Sequence, residues 1–157
     1  MTVNGLTITL PTTSTSLVIP DASNPTLDLP GALAQTISID QQPLSTDNAT
    51  VTIDPTMPAT IQLVVDRPGS IMLRATLYQV VPNDMTTAKL SYVLDVVTND
   101  PATLAIPSDA LVAGMPYTIA VTCYAAGYPG AATGNLQNPS PPFHSATTFS
   151  GVFTVNP

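Results

Sequence analysis

The side chains that carry most enzyme chemistry are scarce in this chain: one histidine, His144, one cysteine, Cys123, and ten acidic residues, every one of them Asp. A nucleophilic hydrolase needs a nucleophile, a base and a group to orient the base. Ser140 and Ser145 lie near His144, but in a proline-rich segment, and no Gly-x-Ser-x-Gly elbow exists to expose a strained serine. Cys123 falls on the inward phase of an alternating apolar run, which makes it a core thiol rather than a nucleophile. An Asp-based hydrolase would need Asp95, Asp100 and Asp109 to converge after folding. Dispersed Asp residues at turns are more simply backbone caps, so the chain is read as a non-enzyme.

Metal chemistry is equally thin. Two oxygen-bearing sets could hold calcium: Asp47, Asn48 and Asp54, and Asn99, Asp100 and Asp109. Neither has the dense alternating-oxygen spacing of a dedicated calcium loop. One His and one core Cys cannot complete the four ligands of zinc. No cofactor is therefore expected, with calcium the one ion these sets leave open.

Binding chemistry is better represented. Tyr124, Tyr128, Phe143 and His144 combine with Asn135, Gln137 and Asn138 in and beside the 126–147 segment, giving flat apolar area next to amide donors and acceptors. That combination suits a protein surface or a sugar, where aromatic rings supply contact area and amides fix orientation. The plainer alternative is that Tyr128 and Phe143 fold over the end of their own domain. Pro139, Pro141 and Pro142 stiffen the segment in every case and lower the entropy lost on ordering.

Charge narrows the partners. The formal net charge is −7, with three basic residues and no Lys/Arg cluster, so nucleic acid, whose binding rests on neutralising phosphates, is excluded as a partner. No apolar stretch reaches the roughly 18 residues a membrane helix requires. The N-terminal MTVNGLTITLPTT has neither a basic region nor a hydrophobic helical region, so no signal peptide is expected in this chain. A single cysteine permits no intrachain disulfide, and the one glycosylation sequon is Asn48-Ala49-Thr50.

The elements that must position these residues are strands. Glu is absent, and 17 prolines interrupt nearly every window long enough for a helix. Tyr117, Ile119, Val121, Cys123 and Ala125 alternate with Thr118, Ala120, Thr122 and Tyr124, the period of a strand with one core face. Further strands are expected at Thr50–Ile53, Thr60–Asp66, Ser70–Val81, Lys89–Val97, Thr103–Ile106 and Thr148–Val155, seven in all. Leu90, Tyr92, Leu94 and Val96 are expected inward on one of them, and Phe149, Gly151, Phe153 and Val155 on the last. Met72, Tyr78 and Val80 share the phase opposite Leu73, which asks for a bulge near Tyr78 or for an apolar outer face; Val93 and Val97 pose the same question on the next strand. Residues 1–46 differ: Leu6/Ile8/Leu10, Leu17/Ile19, Leu27/Leu29 and Ile37/Ile39 are short apolar pairs, several stopped by Pro, suited to sheet edges or to an extended arm.

Leu111, Gly114 and Tyr117, followed by Ile119 and Val121, resemble the entry into the penultimate strand of fibronectin type III and related immunoglobulin-like modules. The ending, Ser145 to Pro157 with Phe153 and Val155 inward, is similar to that family's last strand. The resemblance covers roughly Thr50 to Pro157 and departs from the family in having no tryptophan, leaving Leu73 or Leu77 in its place. It implies an all-β, immunoglobulin-like (fibronectin type III-like) β-sandwich over residues 47–157, with residues 1–46 as an N-terminal extension or small β appendage. It also implies a corner role for Tyr117, its hydroxyl bonding back to the preceding turn. The expected function is a non-enzymatic interaction or structural module that binds a protein partner or self-assembles through exposed strands, the N-terminal arm and the 126–147 segment. A carbohydrate-binding module is the alternative, and a small Asp-based hydrolase a distant third. Low charge and abundant strand edges suit an extracellular appendage, part of a secreted machine or a virion surface.

Overall fold

The computed structural model describes residues 2–3, 6–7, 13–18, 36–44, 49–54, 56–64, 72–98, 103–125 and 143–156. These residues form strands and one 3-10 turn, Ser108–Ala110. The strands are β1 (Thr2–Val3), β2 (Leu6–Thr7), β3 (Thr13–Val18), β4 (Thr36–Ile39), β5 (Gln42–Pro43), β6 (Ala49–Thr52) and β7 (Ala59–Val64). They continue with β8 (Met72–Pro82), β9 (Ala88–Thr98), β10 (Thr103–Ile106), β11 (Pro116–Ala125), β12 (Phe143–Phe149) and β13 (Phe153–Asn156). The expected strands of the 49–125 region are present with ends shifted by a residue or two. The turn proposed at Arg67–Ser70 lies outside the described residues.

Two main sheets face each other, and neither closes into a barrel. One has the order β10-β7-β4-β5, antiparallel throughout. In the other, β9 pairs β8 and β8 pairs β11, whose opposite edge is shared between β12 at Ala120–Ala125 and β13 at Pro116–Tyr117. β3 flanks β12 antiparallel, and β6 flanks β13 parallel. A separate ladder joins β1 to β2.

The core is the layer between the two main sheets. Ile37, Ile39, Ile61, Leu104 and Ile106 project from one; Leu73, Ala75, Leu77, Tyr117, Ile119, Val121, Cys123, Phe153 and Val155 from the other. Each large side chain buried here contributes on the order of 1.5–3 kcal/mol of transfer free energy. Tyr117 and Phe153 pack with ring centroids 6.1 Å apart. Ile37, Ile39 and Leu44, from the C-terminal end of the 1–46 segment, are part of this same core. The tight reversal between β4 and β5 places Asp40 and Gln41 at φ 45° and 65°, the positive values that a two-residue hairpin turn demands. Asp40 offsets that strain by closing on β7: its amide donates to the Thr60 carbonyl and its Oδ1 accepts from the Thr60 amide, both at 2.8 Å.

Two details differ from the sequence pattern, each for an identifiable reason. The last strand begins at Phe143, not Thr148, and breaks at Ser150–Val152 into β12 and β13. At the break, the Ser150 hydroxyl accepts the Ile119 amide at 3.0 Å, standing in for a ladder carbonyl, while the Ser150 amide donates to the Ile119 carbonyl at 2.8 Å. The break lets β12 and β13 run in different phases, so Phe149 stacks on Tyr78 at 6.5 Å on the outer face while Phe153 enters the core. Second, the register shifts between Leu77↔Leu94 and Tyr78↔Tyr92, one step on β8 against two on β9. The bulge residue is therefore Val93, and it reverses the phase of β9. Tyr92, expected inward, is 60% exposed, and Leu90 packs with Val80, Val152 and Ala88 in a second cluster away from the main core. β8 keeps its alternation through the bulge, and Met72, Tyr78 and Val80 share the face opposite Leu73, as the alternation predicts.

Candidate interaction site

Among the described residues, β9 is the long strand at one edge of the large sheet. It is 11 residues long, about 37 Å at strand rise, and among the described residues it pairs only with β8. Alternate residues of such a strand turn unpaired N–H and C=O groups outward, a template for a further strand. Natural edges are blunted by charges, proline or a covering element. β9 contains no proline and two charged residues, Lys89 and Asp95.

Asp95 is not aimed at the edge. It lies on the outer face, where it ion-pairs with Arg74 of β8 and accepts the Thr76 hydroxyl at 2.6 Å. Partial burial works to raise its pKa, but the hydrogen bonds from Arg74 and Thr76 outweigh it and hold the carboxyl below its ordinary range. Arg74 is held above its ordinary value chiefly by the Asp95 hydrogen bond, with Tyr124 of β11 adding a second one. The trio ties β9, β8 and β11 together across their outer face and leaves β9 nearly neutral. Tyr92 and Val97, 60% and 41% exposed, supply apolar area along the strand.

The opposite flank of the large sheet is treated differently. β6 pairs β13 on one side, and on the other the Gln42 side chain occupies its backbone: Nε2 donates to the Thr52 carbonyl at 2.7 Å and Oε1 accepts the Thr52 amide at 2.9 Å. A side-chain amide imitates one strand residue and caps that stretch of edge.

The residues singled out in the sequence are placed as follows. Tyr124 is on β11, opposite Met72 and Ser145, half-buried and bonded to Arg74. Phe143 and His144 open β12, with backbones in register with Val18 and Leu17 of β3. Tyr128, Asn135, Gln137 and Asn138 lie outside the described residues. Of the calcium candidates, Asp47, Asn48, Asn99 and Asp100 also lie outside them. Asp54 turns its Oδ1 to the Thr56 amide and hydroxyl at 2.8 and 2.6 Å, and Asp109 is exposed on the 3-10 turn. Among the described residues no three of His, Cys, Asp or Glu gather as a metal site, and no helix is long and apolar enough to cross a membrane.

No known protein family, curated protein or solved structure matches this chain. Its chemistry must therefore be argued from its own surface. Val97 lies on the outer face that the sequence pattern already raised for it, whereas Tyr92, expected inward, is exposed. The signal for Tyr92 is the adjacent pair Val93-Leu94, two apolar residues where strict alternation allows one, which marks the phase change that turns Tyr92 outward.

Proposed function

We propose that this chain is a non-enzymatic interaction module of immunoglobulin-like, fibronectin type III-like architecture, which associates by adding a strand along β9, at the edge that no described strand pairs. The observation that carries the reading is the contrast between two edges of one sheet. At β6 the backbone of Thr52 is capped by Gln42, whereas among the described residues β9 pairs only with β8 and exposes Tyr92 and Val97. Backbone hydrogen bonds would supply affinity, and the alternate side chains specificity. The family reading is supported by the Tyr117 hydroxyl, which accepts the Val112 amide in the turn before β11.

A second copy is the first partner to test. The chain as a whole is strongly acidic, but β9 carries one Lys and one Asp, and that Asp is neutralised by Arg74, so like-charge repulsion along the strand is small. Sedimentation of the wild type against Tyr92→Lys/Val97→Lys should show concentration-dependent association in the first and a monomer in the second. A monomeric wild type at every accessible concentration would remove self-association, and equal association of both proteins would move the interface away from β9.

A further inference from the structure

The strand registers bring three loops to one end of the molecule. β8 runs antiparallel to β11, with Gln79 opposite Tyr117, so the β8–β9 tip at 83–87 lies at the end where β11 begins. β13 also runs antiparallel to β11, with Thr154 opposite Pro116, and β6 runs parallel to β13, with Thr52 opposite Asn156. The 53–58 connection therefore leaves from that same end. Hydrogen bonds fix the arrangement: the Gly114 amide donates to the Val155 carbonyl at 2.9 Å, and the Ile53 amide to the Asn156 carbonyl at 3.1 Å.

Among the described residues, this end gathers most of the exposed large apolar side chains. Of the six large apolar side chains exposed among the described residues, Tyr92 and Val97 belong to β9; the other four are Met57, Met85, Val112 and Met115, at 59%, 96%, 53% and 43% exposure. Methionine side chains are flexible and polarisable, and surfaces built from them accept varied apolar partners. Each of the three loops also carries one carboxylate, Asp54, Asp84 or Asp109, and none contains Lys or Arg. The nearest cation in sequence, Lys89, is already within β9 opposite Val81.

The loops are held in shape before any partner arrives. Asp84 Oδ1 accepts the Thr86 and Thr87 amides, both at 2.7 Å, and Asp54 fixes Thr56 in the same manner. The Tyr117 hydroxyl holds the Val112 amide at 2.9 Å. A prearranged backbone with adaptable methionines reduces the ordering cost of binding. Three carboxylates against one exposed cation, Lys89 beside the 83–87 tip, leave this end net negative, which disfavours a second copy, since it would bring the same net charge face to face, and favours a cationic partner.

We propose that the end formed by residues 53–54 and 56–58 with loops 83–87 and 107–115 docks a basic, amphipathic polypeptide segment, its apolar side meeting the methionines and its cations meeting Asp54, Asp84 and Asp109. The test is fluorescence anisotropy with a labelled leucine–lysine amphipathic peptide, a leucine–glutamate counterpart and zwitterionic lipid vesicles. Saturable binding of the lysine peptide is expected, weakened by about tenfold or more in Met57→Ser/Met85→Ser/Met115→Ser. Asp54→Asn/Asp84→Asn/Asp109→Asn should weaken it further as salt is lowered relative to the wild type. Tyr92→Lys/Val97→Lys, which tests the β9 edge, should leave the peptide affinity unchanged, so the two surfaces stand or fall separately. Because the methionines are exposed, their replacement is expected to keep the unfolding midpoint, and a parallel denaturation curve checks this. Equal peptide binding by the methionine variant, equal binding of the glutamate peptide, or preference for the vesicles would each overturn the assignment.

Discussion

The Tyr117 hydroxyl accepts the backbone amide of Val112 at 2.9 Å, joining the first turn of β11 to the loop that precedes it. The ring itself is 2% exposed and packed on Phe153, so one side chain anchors the core and shapes a surface loop at once. Tyr117→Phe retains the ring and deletes the acceptor. The Val112 side chain is 53% exposed, so water can reach that region and the cost should stay near 1 kcal/mol, about the net worth of one hydrogen bond. Urea unfolding should show a lower midpoint with an unchanged m-value; an unchanged midpoint would mean the bond does not hold the loop.

Ser150 is expected to matter more than its size suggests. Its hydroxyl accepts the amide of Ile119, a residue with 0% exposure, and donates in turn to the Gly151 carbonyl at 2.7 Å. Ser150→Ala leaves the Ile119 amide buried without that acceptor, a loss of about 1–3 kcal/mol. The penalty should exceed that of Tyr117→Phe, because water is excluded at Ile119. Hydrogen exchange at the Ile119 amide gives a local readout: faster exchange is expected in the variant, and equal protection would show that another acceptor takes over.

How much of this was legible beforehand depends on whether period-two alternation holds. It holds without interruption from Tyr117 to Cys123, and there both the strand and its inward face follow from residue types alone. It fails at Val93 and again at Ser150–Val152, where a bulge and a strand break shift the phase. Tyr92, Leu90 and Phe149 lie on the face opposite the one simple alternation predicts because each lies beyond such a shift. Alternation also says nothing of which edge is left open: the capping of Thr52 by Gln42 joins residues ten positions apart through a side chain, and no local pattern announces it. The methionine-bearing end was hidden for the same reason, since Met57, Met85 and Met115 are isolated in sequence and meet only through strand register.

Gly114 offers a test of backbone geometry free of packing effects. Its φ is +77°, and a Cβ built there would meet nothing within 4 Å. Gly114→Ala therefore reports only the cost of a left-handed conformation for an L-residue, about 1–2 kcal/mol. Gly114→Asn should recover part of that loss, since Asn tolerates this region better. If Ala and Asn are equally destabilising, the loop has rearranged and its contact with Val155 has been lost.

The aspartates at the turns predict how stability responds to acid. The Thr87 hydroxyl, with the Thr86 and Thr87 amides, holds the Asp84 carboxyl well below its ordinary range, and Thr56 lowers Asp54 in the same way through its hydroxyl and amide. In the unfolded chain these groups return to about 3.9. The folded state thus binds fewer protons than the unfolded state between the two values, and stability rises with pH across that window. It is fully present above the unfolded value and is lost as the pH falls from about 4 through the lowered folded values. Asp84→Asn keeps an oxygen that can accept the amides but removes the titration. Unfolding free energies measured from neutral pH down to acid should therefore fall less steeply below about pH 4 in Asp84→Asn than in the wild type, and parallel profiles would show that the Asp84 turn is already open before the carboxylate is protonated.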